Sequence, residues 1–320
     1  MVDHLTKETL KVVKTKTEDG KSVINNYKII KRLGEGPFSV VKLAECQITK
    51  KLVAMKIYNK TILQKKKELV RDKNGKVQYK DHLEDVLNEI KIMKKLNHPN
   101  VISLIEVIND PDYHKLYLVI DYCEKGSVVD WDDNKLTFST KTKEPYLPEK
   151  EIARILHDVV KGLEYLHQNH IVHRDLKPQN MLQCEDGTIR LCDFDVAAEV
   201  HKDVVLNKTK GTLHFMAPEL CKKNAKLEDS FIGYTADIWA LGVSLYCLTY
   251  LKLPFFDNSL VGLIEAIEKK EHKHKTKERP ASEELKDLID RMLEKDPKKR
   301  ITLAHIKAHK FFSKNEISFN

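Results

Sequence analysis

The stretch that decides the fold is His173-Arg174-Asp175-Leu176-Lys177-Pro178-Gln179-Asn180, followed by Asp193-Phe194-Asp195. Asp175 and Asn180 are five residues apart and Asp193 comes thirteen later, which suits a tight loop that leads into a hairpin. Aspartate and asparagine oxygens are hard ligands of the kind that Mg²⁺ takes alongside substrate phosphates. A lysine two places from a carboxylate can neutralise a phosphate beside a general base. His-Arg-Asp alone also occurs on solvated surfaces, but the full spaced set indicates phosphate chemistry.

Composition limits the class of protein. The chain has 320 residues, 41% hydrophobic and 32% charged, which allows one large domain or two modest lobes with real cores. Its longest apolar run, residues 238–251, is too short to span a bilayer. No charged segment followed by an apolar one opens the chain, so we expect neither secretion nor a membrane partner. A cytoplasmic location is predicted, and a nuclear one is also open.

Charge and cysteine content exclude further classes. The net charge is +8, but the lysine and arginine excess is spread along the chain without interleaved aromatic residues. We therefore expect a solvated surface or the docking of acidic partners, and no nucleic acid. Six cysteines are scattered without a CxxC pair, which predicts reduced thiols rather than zinc ligands or disulfides.

The first part of the chain has a β-strand pattern after a polar start. Residues 1–23 are interpreted as a tail that could form a short hairpin, and strands are predicted at 27–33, 40–44 and 52–58. Between the first two lies Gly34-Glu35-Gly36-Pro37-Phe38-Ser39-Val40-Val41, whose glycines let the backbone approach a phosphate closely. Because a strand rather than a helix follows, and no GxxxxGK[ST] motif occurs, a glycine-rich hairpin over a nucleotide fits better than a dinucleotide fold or a P-loop.

A strand lysine and a helix carboxylate follow this hairpin. Lys56 ends Val53-Ala54-Met55-Lys56 and, taken alone, would be interpreted as a surface lysine. Glu89 lies on the flank of an apolar helix stripe that ends before Pro99. A carboxylate half-facing a core needs a cationic partner, for which Lys56 is the obvious candidate. The lysine-rich segment at residues 60–82 is interpreted as a mobile basic insertion, which is either plain solvated loop or a docking surface for acidic substrates.

After two more predicted strands, at 101–107 and 116–120, the chain becomes helical. Apolar stripes predict helices near 152–166 and 285–293. The run 238–251 predicts a helix that is buried on all sides.

Taken in order, these motifs resemble those of the eukaryotic protein kinases: the glycine-rich loop, the strand lysine, the helix glutamate, HRDLKPQN, Asp-Phe-Asp and Ala217-Pro218-Glu219. The resemblance covers roughly residues 27 to 313 and implies a bilobal α+β fold. That fold has a five-stranded antiparallel N-lobe with one main helix, a mainly helical C-lobe, and ATP bound at the hinge. The implied boundaries are a tail at 1–23, an N-lobe at 24–122, a hinge at 123–125, a C-lobe at 126–315 with the activation segment at 193–219, and a tail at 316–320.

The resemblance implies a role for each motif position. Asp175 would accept the proton of the substrate hydroxyl, Lys177 would steady the γ-phosphate of ATP, and Asn180 and Asp193 would hold Mg²⁺. Other positions would contact the nucleotide. The phosphates would be bound by Lys56, which Glu89 orients, and by the hairpin from Gly34 to Val41. Adenine would be bound by the gatekeeper Ile120, the hinge residues Asp121 and Cys123, the floor residue Leu182 and the roof residues Leu33, Val41 and Ala54.

Further positions indicate the class of kinase that the chain resembles. Lys177 and Thr212 are the serine/threonine-kinase forms. Arg174 marks kinases whose activation segment is ordered by a phosphate, and Thr209 is the best-placed acceptor, although it could equally be an unmodified loop residue. Two structural partnerships are also implied, Asp237 with the catalytic-loop backbone and Glu219 with Arg300.

Among kinases, the chain most resembles the calcium/calmodulin-dependent protein kinase kinases and their relatives that activate AMP-activated kinases. The stretches that carry this likeness are the insertion before the Glu89 helix, Leu96-Asn97-His98-Pro99-Asn100-Val101, residues 104–111 and residues 211–219. The implied partner is a protein substrate, in this subfamily the activation segment of another kinase. We expect a monomer. Calmodulin is a possible partner, although no calmodulin-binding tail is expected after the last kinase helix.

Two motif positions depart from the kinase pattern. Ser39 replaces the third glycine of the loop, a mild change. Asp195 replaces the glycine of Asp-Phe-Gly, where glycine allows backbone conformations that other residues avoid. Asp195 is therefore predicted either to restrict flipping of Phe194 and favour the Asp-in state, or to be tolerated through a local hydrogen bond without functional effect.

The sequence thus predicts an ATP- and Mg²⁺-dependent protein serine/threonine kinase, in which positioning and charge neutralisation drive phosphoryl transfer. One alternative is another calmodulin-kinase-like enzyme with different substrates. The other is a nucleotide-binding pseudokinase scaffold, which only Asp195 supports. Pseudokinases usually lack at least one of the positions that are all present here, namely Lys56, Glu89, Asp175, Asn180 and Asp193.

Overall fold

The computed structural model describes residues 6–71, 77–142, 144–200, 211–221, 230–274 and 279–319. The chain divides into two compact units, Met1–Cys123 and Glu124–Asn320. The boundary between them falls within the segment for which the sequence suggests a hinge. Among the described residues, no helix combines the length and the apolar character that crossing a membrane requires.

The N-terminal unit is built on a sheet. Its described strands are β1 (Lys7–Thr9), β2 (Lys14–Lys16), β3 (Ser22–Ile24), β4 (Tyr27–Glu35), β5 (Ser39–Cys46), β6 (Leu52–Asn59), β7 (Lys67–Arg71), β8 (Val77–Asp81), β9 (Leu104–Ile108) and β10 (Lys115–Asp121). Eight of them form one sheet in the order β1-β9-β10-β6-β5-β4-β3-β2. Within it β1 runs parallel to β9, and the other neighbouring strands are antiparallel.

The sheet is larger than the five strands predicted, because the segment interpreted as a tail contributes β1, β2 and most of β3. The hairpin of β2 and β3, which the sequence suggested, turns at Gly20 (φ +76°). Beside the backbone pairing of β1 with β9, the buried Glu106 accepts hydrogen bonds from the Thr9 hydroxyl at 2.5 Å and, from β4, the Tyr27 hydroxyl at 2.7 Å. The Lys7 ammonium lies 3.0 Å from the same carboxylate.

One helix of the N-terminal unit carries the predicted glutamate. This helix, α2 (His82–Met93), follows the short α1 (Lys60–Lys65). Asp81 caps α2 by accepting a hydrogen bond from the Glu84 N–H at 3.1 Å. The buried residues of α2 are Val86, Glu89, Ile90, Ile92 and Met93. Glu89 is therefore part of the inward face of the helix.

The insertion at 60–82 was interpreted as either plain solvated loop or a docking surface, and the first alternative is wrong for its described residues. They form α1 and a hairpin in which β7 and β8 pair from Lys67↔Asp81 to Arg71↔Val77. Asn59 caps α1 by accepting a hydrogen bond from the Ile62 N–H at 3.3 Å. Lysine-rich composition suggests solvated loop, but a two-stranded ladder satisfies its own backbone groups whatever the side-chain charge.

The C-terminal unit is mainly helical. Its helices are α3 (Glu149–Gln168), α4 (Pro218–Cys221), α5 (Ser230–Tyr250), α6 (Leu260–Lys269), α7 (Glu283–Met292), α8 (Leu303–Lys307) and α9 (Lys310–Lys314). Short strands accompany them: β11 (Gly126–Ser127), β12 (Asp130–Asp132), β13 (Thr137–Ser139), β14 (Ile171–Val172), β15 (Met181–Gln183), β16 (Ile189–Leu191) and β17 (Ala198–Glu199). β11, β15 and β16 form one small sheet, and β14 pairs with β17.

The helices of this unit bury the predicted apolar faces. Those of α3 are all at most 2% exposed: Ile152, Ile155, Leu156, Val159, Leu163 and Leu166. α5 is buried on all sides over its second half, with Trp239 and Tyr246 among its largest enclosed side chains. It ends at Tyr250, since Leu251 has a left-handed backbone (φ +54°).

The segment 316–320, predicted as a tail, also has partners in this unit. The ring of Phe319 lies 4.7 Å from the ring of His157 and 4.7 Å from that of Phe312. Glu316 pairs with Lys150 at the start of α3. The chain therefore packs against α3 and α9 almost to its end.

Candidate active site

In the N-terminal unit, the structure pairs the strand lysine with the helix glutamate, as predicted. The Lys56 ammonium donates to Glu89 Oε1 at 3.0 Å, and the two residues are 8% and 2% exposed. The Tyr58 hydroxyl donates to the other oxygen, Oε2, at 2.7 Å. Tyr58 was missed, although it lies two residues after Lys56 and so on the same face of β6. The carboxylate is thus fixed at both oxygens.

The glycine-rich loop is a hairpin between β4 and β5. The Gly36 N–H donates to the Ser39 carbonyl at 2.8 Å and closes the turn. Ser39, in place of the third glycine, is buried, and its Oγ would lie 3.2 Å from a Cβ placed on Gly36. The ring of Phe38 stacks on His82 at the start of α2, with 4.8 Å between centroids. Ser39 therefore fits the turn.

The residues assigned to adenine in this unit lie on neighbouring strands. Ile120 on β10 is paired with Ala54 on β6, and Val41 on β5 is paired with Lys56. Ala54 is buried, whereas Leu33 is 38% exposed. The two hinge positions differ: Cys123 is buried, and Asp121 Oδ2 accepts from the Ser103 N–H at 3.0 Å. Contacts of these residues with adenine stay a prediction, as does that of Leu182 on β15 in the C-terminal unit.

In the C-terminal unit, Asp175 is the centre of a hydrogen-bond cluster. The Lys177 ammonium donates to its Oδ2 at 2.6 Å. The Asn180 amide nitrogen donates to the Asp175 carbonyl at 2.8 Å and to Oδ2 at 3.2 Å. The three residues predicted to be catalytic are therefore brought together on one carboxylate.

The second oxygen of Asp175 is bound by a residue whose contact the sequence did not predict. Thr212 donates to Oδ1 from its N–H at 2.8 Å and from its hydroxyl at 2.7 Å, and its hydroxyl also accepts from Lys177 at 2.9 Å. Thr212 was identified only as a mark of the serine/threonine class. Its contact was missed because the two residues are 37 positions apart.

Gly211 allows this close approach. It has φ +113°, and a Cβ at this position would lie 2.5 Å from the carbonyl oxygen of Arg174. A glycine is required here on both counts.

The surroundings of Asp175 favour its ionised form. Burial raises the pKa of this carboxyl, but the charge of Lys177 and the hydrogen bonds from Lys177 and Thr212 outweigh burial, so that the pKa lies below its usual value. The carboxylate is therefore negatively charged at neutral pH.

Asp237 on α5 holds the backbone of the catalytic loop, as predicted. Its Oδ2 accepts from the His173 N–H and its Oδ1 from the Arg174 N–H, both at 2.9 Å. His167 was missed: its Nε2 lies 2.9 Å from Asp237 Oδ2. Burial raises the pKa of Asp237, but the hydrogen bond from His167 and the nearby histidines and backbone donor lower it below its usual value. The loop is thus anchored on a buried carboxylate.

Asp193 and Phe194 are positioned by the residue before them. The Cys192 N–H donates to the Asn180 carbonyl at 3.0 Å, and its carbonyl lies 3.0 Å from His173 Nε2. Asp193 has a left-handed backbone (φ +66°), and the ring of Phe194 is fully buried, 5.1 Å from that of His173.

Asp195 is exposed, and its φ is not in the left-handed region. Aspartate therefore causes no backbone strain at this position in the described conformation. Whether it restricts flipping of Phe194 stays a prediction.

The predicted partnership of Glu219 and Arg300 is present. The two Nη atoms of Arg300 donate to the two carboxylate oxygens at 2.6 and 2.9 Å, and both residues are buried. Arg300 also donates to the Thr235 carbonyl at 2.8 Å. This bidentate pair ties the start of α4 to the segment after α7.

Arg174 was expected to pair with a phosphate on Thr209. Thr209 lies outside the described residues. The Arg174 side chain donates to the Val196 carbonyl at 3.2 Å, which places it beside the start of the activation segment. The phosphorylation hypothesis stays a prediction.

Comparison with protein families adds to this geometry. Residues 27–312 match the protein kinase domain. The chain belongs to the protein kinase family. The match includes the Lys56–Glu89 pair of this kinase, its Asp175 cluster and its Glu219–Arg300 pair, and confirms the predicted fold class.

Curated relatives place this kinase among the eukaryotic serine/threonine kinases, as predicted. A protein of Dictyostelium discoideum named as a probable serine/threonine-protein kinase is 39% identical over 308 residues, 95% of this chain and 40% of that protein. SNF1-activating kinase 1 of Saccharomyces cerevisiae is 38% identical over 327 residues, covering 92% of this chain and 28% of its own. A calcium/calmodulin-dependent protein kinase kinase of Caenorhabditis elegans is 35% identical over 302 residues, covering 91% and 53%. This kinase thus spans about half or less of the length of these relatives.

Proposed function

We propose that this kinase transfers the γ-phosphate of ATP to a serine or threonine hydroxyl of a protein substrate. The observation that carries the proposal is the Asp175 cluster, in which an ionised carboxylate lies 2.6 Å from the Lys177 ammonium and 2.7 Å from the Thr212 hydroxyl. Membership of the protein kinase family implies ATP as the donor and a protein as the acceptor.

The four acceptor positions of the Asp175 carboxylate are all occupied. Oδ1 accepts two hydrogen bonds from Thr212, and Oδ2 accepts one each from Lys177 and Asn180. A carboxylate offers about four lone-pair sites, so a substrate hydroxyl must replace one donor. Lys177 is the donor that would leave, since its ammonium would move to the γ-phosphate. Asp175 Oδ2 could then accept the proton of the substrate hydroxyl.

Lys56 is a positioned cation within the N-terminal unit. Lys56 would bind the α- and β-phosphates of ATP, and Glu89 fixes the direction of its ammonium group. Tyr58 strengthens this arrangement, because it holds the second oxygen of Glu89 at 2.7 Å. Phosphoryl transfer depends on such positioning more than on covalent chemistry of the protein.

Magnesium fits the donor groups that are present. Asn180 bonds Asp175 through its amide nitrogen, which leaves its side-chain oxygen as the atom that would hold the cation. Asp193 supplies a carboxylate, and oxygen donors of both kinds suit Mg²⁺. When bound, the ion would neutralise charge on the ATP phosphates.

The proposed substrate is the activation segment of another protein kinase. Two relatives support this class by name, one as a SNF1-activating kinase and one as a kinase kinase. The position of the insertion that forms α1, β7 and β8 also supports it, because a longer insertion before the Glu89 helix is part of the resemblance to that subfamily.

The test is the transfer of labelled phosphate from ATP and Mg²⁺ to an activation-segment peptide of an AMP-activated kinase. Asp175→Asn should lower the rate by at least about a hundredfold, because the proton acceptor is lost. Asp186→Asn is the matched control, since Asp186 lies exposed in the turn between β15 and β16 and accepts a hydrogen bond from the Thr188 N–H at 2.8 Å within that turn. It should keep the wild-type rate.

The outcomes separate the parts of the proposal. Transfer to a generic basic peptide but not to the activation segment would keep the kinase and remove the substrate class. Nucleotide binding without transfer to any peptide would favour the pseudokinase scaffold. A rate that changes on addition of calcium and calmodulin would make calmodulin a partner.

A further inference from the structure

Away from the Asp175 cluster, the C-terminal unit brings two histidines onto one carboxylate. His272 and His274 lie in the segment that follows α6, and Asp290 lies on α7. His272 Nε2 is 2.7 Å and His274 Nε2 2.9 Å from the same oxygen, Asp290 Oδ1. The three donor atoms all lie within 4.8 Å of one another. The two histidines are two residues apart in the chain, whereas Asp290 comes from a different element, α7.

Side chains from α5 hold this segment in place. The Tyr246 hydroxyl donates to the carbonyl of Lys273, between the two histidines, at 2.7 Å. The Tyr250 hydroxyl, one helical turn later, lies 3.0 Å from His274 Nδ1. The side chain of His272 is only 7% exposed and meets the ring of Tyr246 edge-on at 6.0 Å. The imidazoles are therefore ordered by packing and not only by Asp290.

We infer that His272, His274 and Asp290 form a binding site for a divalent transition-metal ion of the zinc class. Two imidazole nitrogens and one carboxylate are a donor set typical of Zn²⁺ with one position left for water or a further ligand. Borderline nitrogen donors favour Zn²⁺ and its neighbours over Mg²⁺ or Ca²⁺, which prefer oxygen. The site therefore differs in metal class from the one proposed at Asn180 and Asp193.

Metal binding requires Asp290 to move. Donor atoms around tetrahedral zinc lie about 3.3 Å apart, as follows from bonds of about 2.0 Å. The distances of 2.7 and 2.9 Å are those of hydrogen bonds, so Asp290 must withdraw by about half an ångström when the ion enters. Asp290 is able to do so because its side chain is 53% exposed, whereas the segment that carries both histidines is bound by the Tyr246 and Tyr250 hydroxyls.

The two histidines are expected to contribute unequally. A metal ion on Nε2 places the ring proton on Nδ1, which needs an acceptor. His274 Nδ1 has the Tyr250 hydroxyl at 3.0 Å, whereas His272 Nδ1 is buried without a hydrogen-bond partner in the described part of the chain. Loss of His274 should therefore weaken metal binding more than loss of His272.

Metal at this site would join the segment after α6 to α7. In the absence of metal, the two histidines are joined to α7 by two hydrogen bonds to a half-exposed carboxylate, which contribute little. A bound ion replaces them with coordinate bonds and stabilises the folded form by an amount that grows with the logarithm of the free metal concentration once this exceeds Kd.

The test is titration of the whole purified chain with Zn²⁺ by calorimetry, and with Co²⁺ followed by its visible absorption. Wild type should bind one ion per chain at this site, with a raised Tm and without the thiolate charge-transfer band that binding to cysteine would produce. Asp290→Asn should weaken Zn²⁺ binding at least tenfold, and His274→Gln more than His272→Gln.

The matched control is Asp287→Asn on the same helix. Asp287 is a similarly exposed aspartate with one histidine partner in place of two: its Oδ2 lies 2.8 Å from His309 Nε2. This variant should bind Zn²⁺ like wild type. The inference is overturned if wild type binds no Zn²⁺, if Asp290→Asn and His274→Gln both keep wild-type affinity while folded by circular dichroism, or if Co²⁺ binding gives a thiolate band.

Discussion

Thr212 donates both its backbone N–H and its hydroxyl to a single carboxylate oxygen of Asp175, at 2.8 and 2.7 Å. This contact joins the end of the activation segment to the catalytic loop. The hydroxyl also accepts from Lys177, so that one side chain orients both the proposed base and the proposed phosphate-binding lysine. The proposed chemistry thus depends on a residue outside the catalytic loop itself.

The first prediction concerns that hydroxyl. Thr212→Val keeps the shape and the backbone N–H donor but removes the hydroxyl donor to Asp175, and should lower kcat by roughly ten- to a hundredfold, as expected for a lost hydrogen bond to a charged group. KM for ATP should change little. Steady-state kinetics measure both constants. Thr212→Ser keeps the hydroxyl and should stay within a few-fold of wild type; equal rates for the valine and serine variants would contradict the role given to this hydrogen bond.

The second prediction concerns Gly211. A Cβ here would lie 2.5 Å from the carbonyl oxygen of Arg174, and φ is +113°. Gly211→Ala must therefore displace the backbone beside Asp175, and we expect a loss of activity together with a cost of about 1–3 kcal/mol in the free energy of unfolding. Kinetics and urea denaturation measure the two effects.

Gly187→Ala is the control for Gly211. Gly187 also has positive φ, +92°, but its nearest neighbour to a new Cβ is the end of the Arg154 side chain at 3.7 Å. The Gly187→Ala variant should have a lower free energy of unfolding but an unchanged kcat. Full activity in Gly211→Ala would show that the contact with Arg174 is easily relieved.

The third prediction concerns the buried anchor. Asp237 is 1% exposed and accepts from two backbone N–H groups and from His167. In Asp237→Asn, one backbone N–H must face an NH₂ group, so the free energy of unfolding should fall by about 2–4 kcal/mol. Asp158→Asn is a useful comparison, since Asp158 accepts one backbone N–H, that of Ile189, at 2.9 Å. This substitution should lower the free energy of unfolding by less. Equal losses in urea denaturation would contradict the anchoring role.

The fourth prediction is a pH dependence in the N-terminal unit. Burial raises the pKa of Glu106, but hydrogen bonds from Thr9, Tyr27 and Lys7 bring it below its ordinary value of 4.5. The carboxylate therefore contributes stability above pH 4.5, and this contribution is lost as pH falls through the lower pKa of the folded state. Glu106→Gln removes the contribution.

The measurement for Glu106 is the difference in unfolding free energy between wild type and Glu106→Gln, from neutral pH to about pH 3. The variant should be less stable at neutral pH, and the difference should shrink as pH falls. Glu8→Gln on the neighbouring strand β1 replaces a carboxylate that is 58% exposed, and should be nearly neutral. A difference that stays constant with pH would contradict the assignment.

Much of the site could be predicted from sequence because its members lie close together in the chain or in motifs of fixed spacing. Asp175, Lys177 and Asn180 lie within six residues, and a core-facing Glu89 requires a cation on physical grounds alone. Tyr58, His167 and Thr212 were missed, since their roles depend on partners 31 to 70 residues away. Strand alternation places Tyr58 on the same face as Lys56, but no local pattern shows that His167 and Thr212 reach their partners.

The same reason explains the errors in the fold. β1 is three mostly polar residues, and its strand conformation depends on pairing with β9 about a hundred positions later. The β7–β8 hairpin was hidden by lysine-rich composition. Helices such as α3 and α5, by contrast, were predicted correctly, since their apolar pattern lies within one segment.

The added strands have a consequence for handling the protein in pieces. A fragment starting at residue 27, where the family match begins, would lack β1, β2 and β3 and would leave the outer side of β9 unpaired. An uncovered strand offers its backbone groups to any neighbouring chain, which is the usual first step of strand-mediated aggregation. The same cut would leave Glu106 without Thr9 and Lys7. Residues 7–24, which form β1, β2 and β3, therefore cover strand edges that would otherwise be open to pairing with another chain, and no kinase motif encodes this.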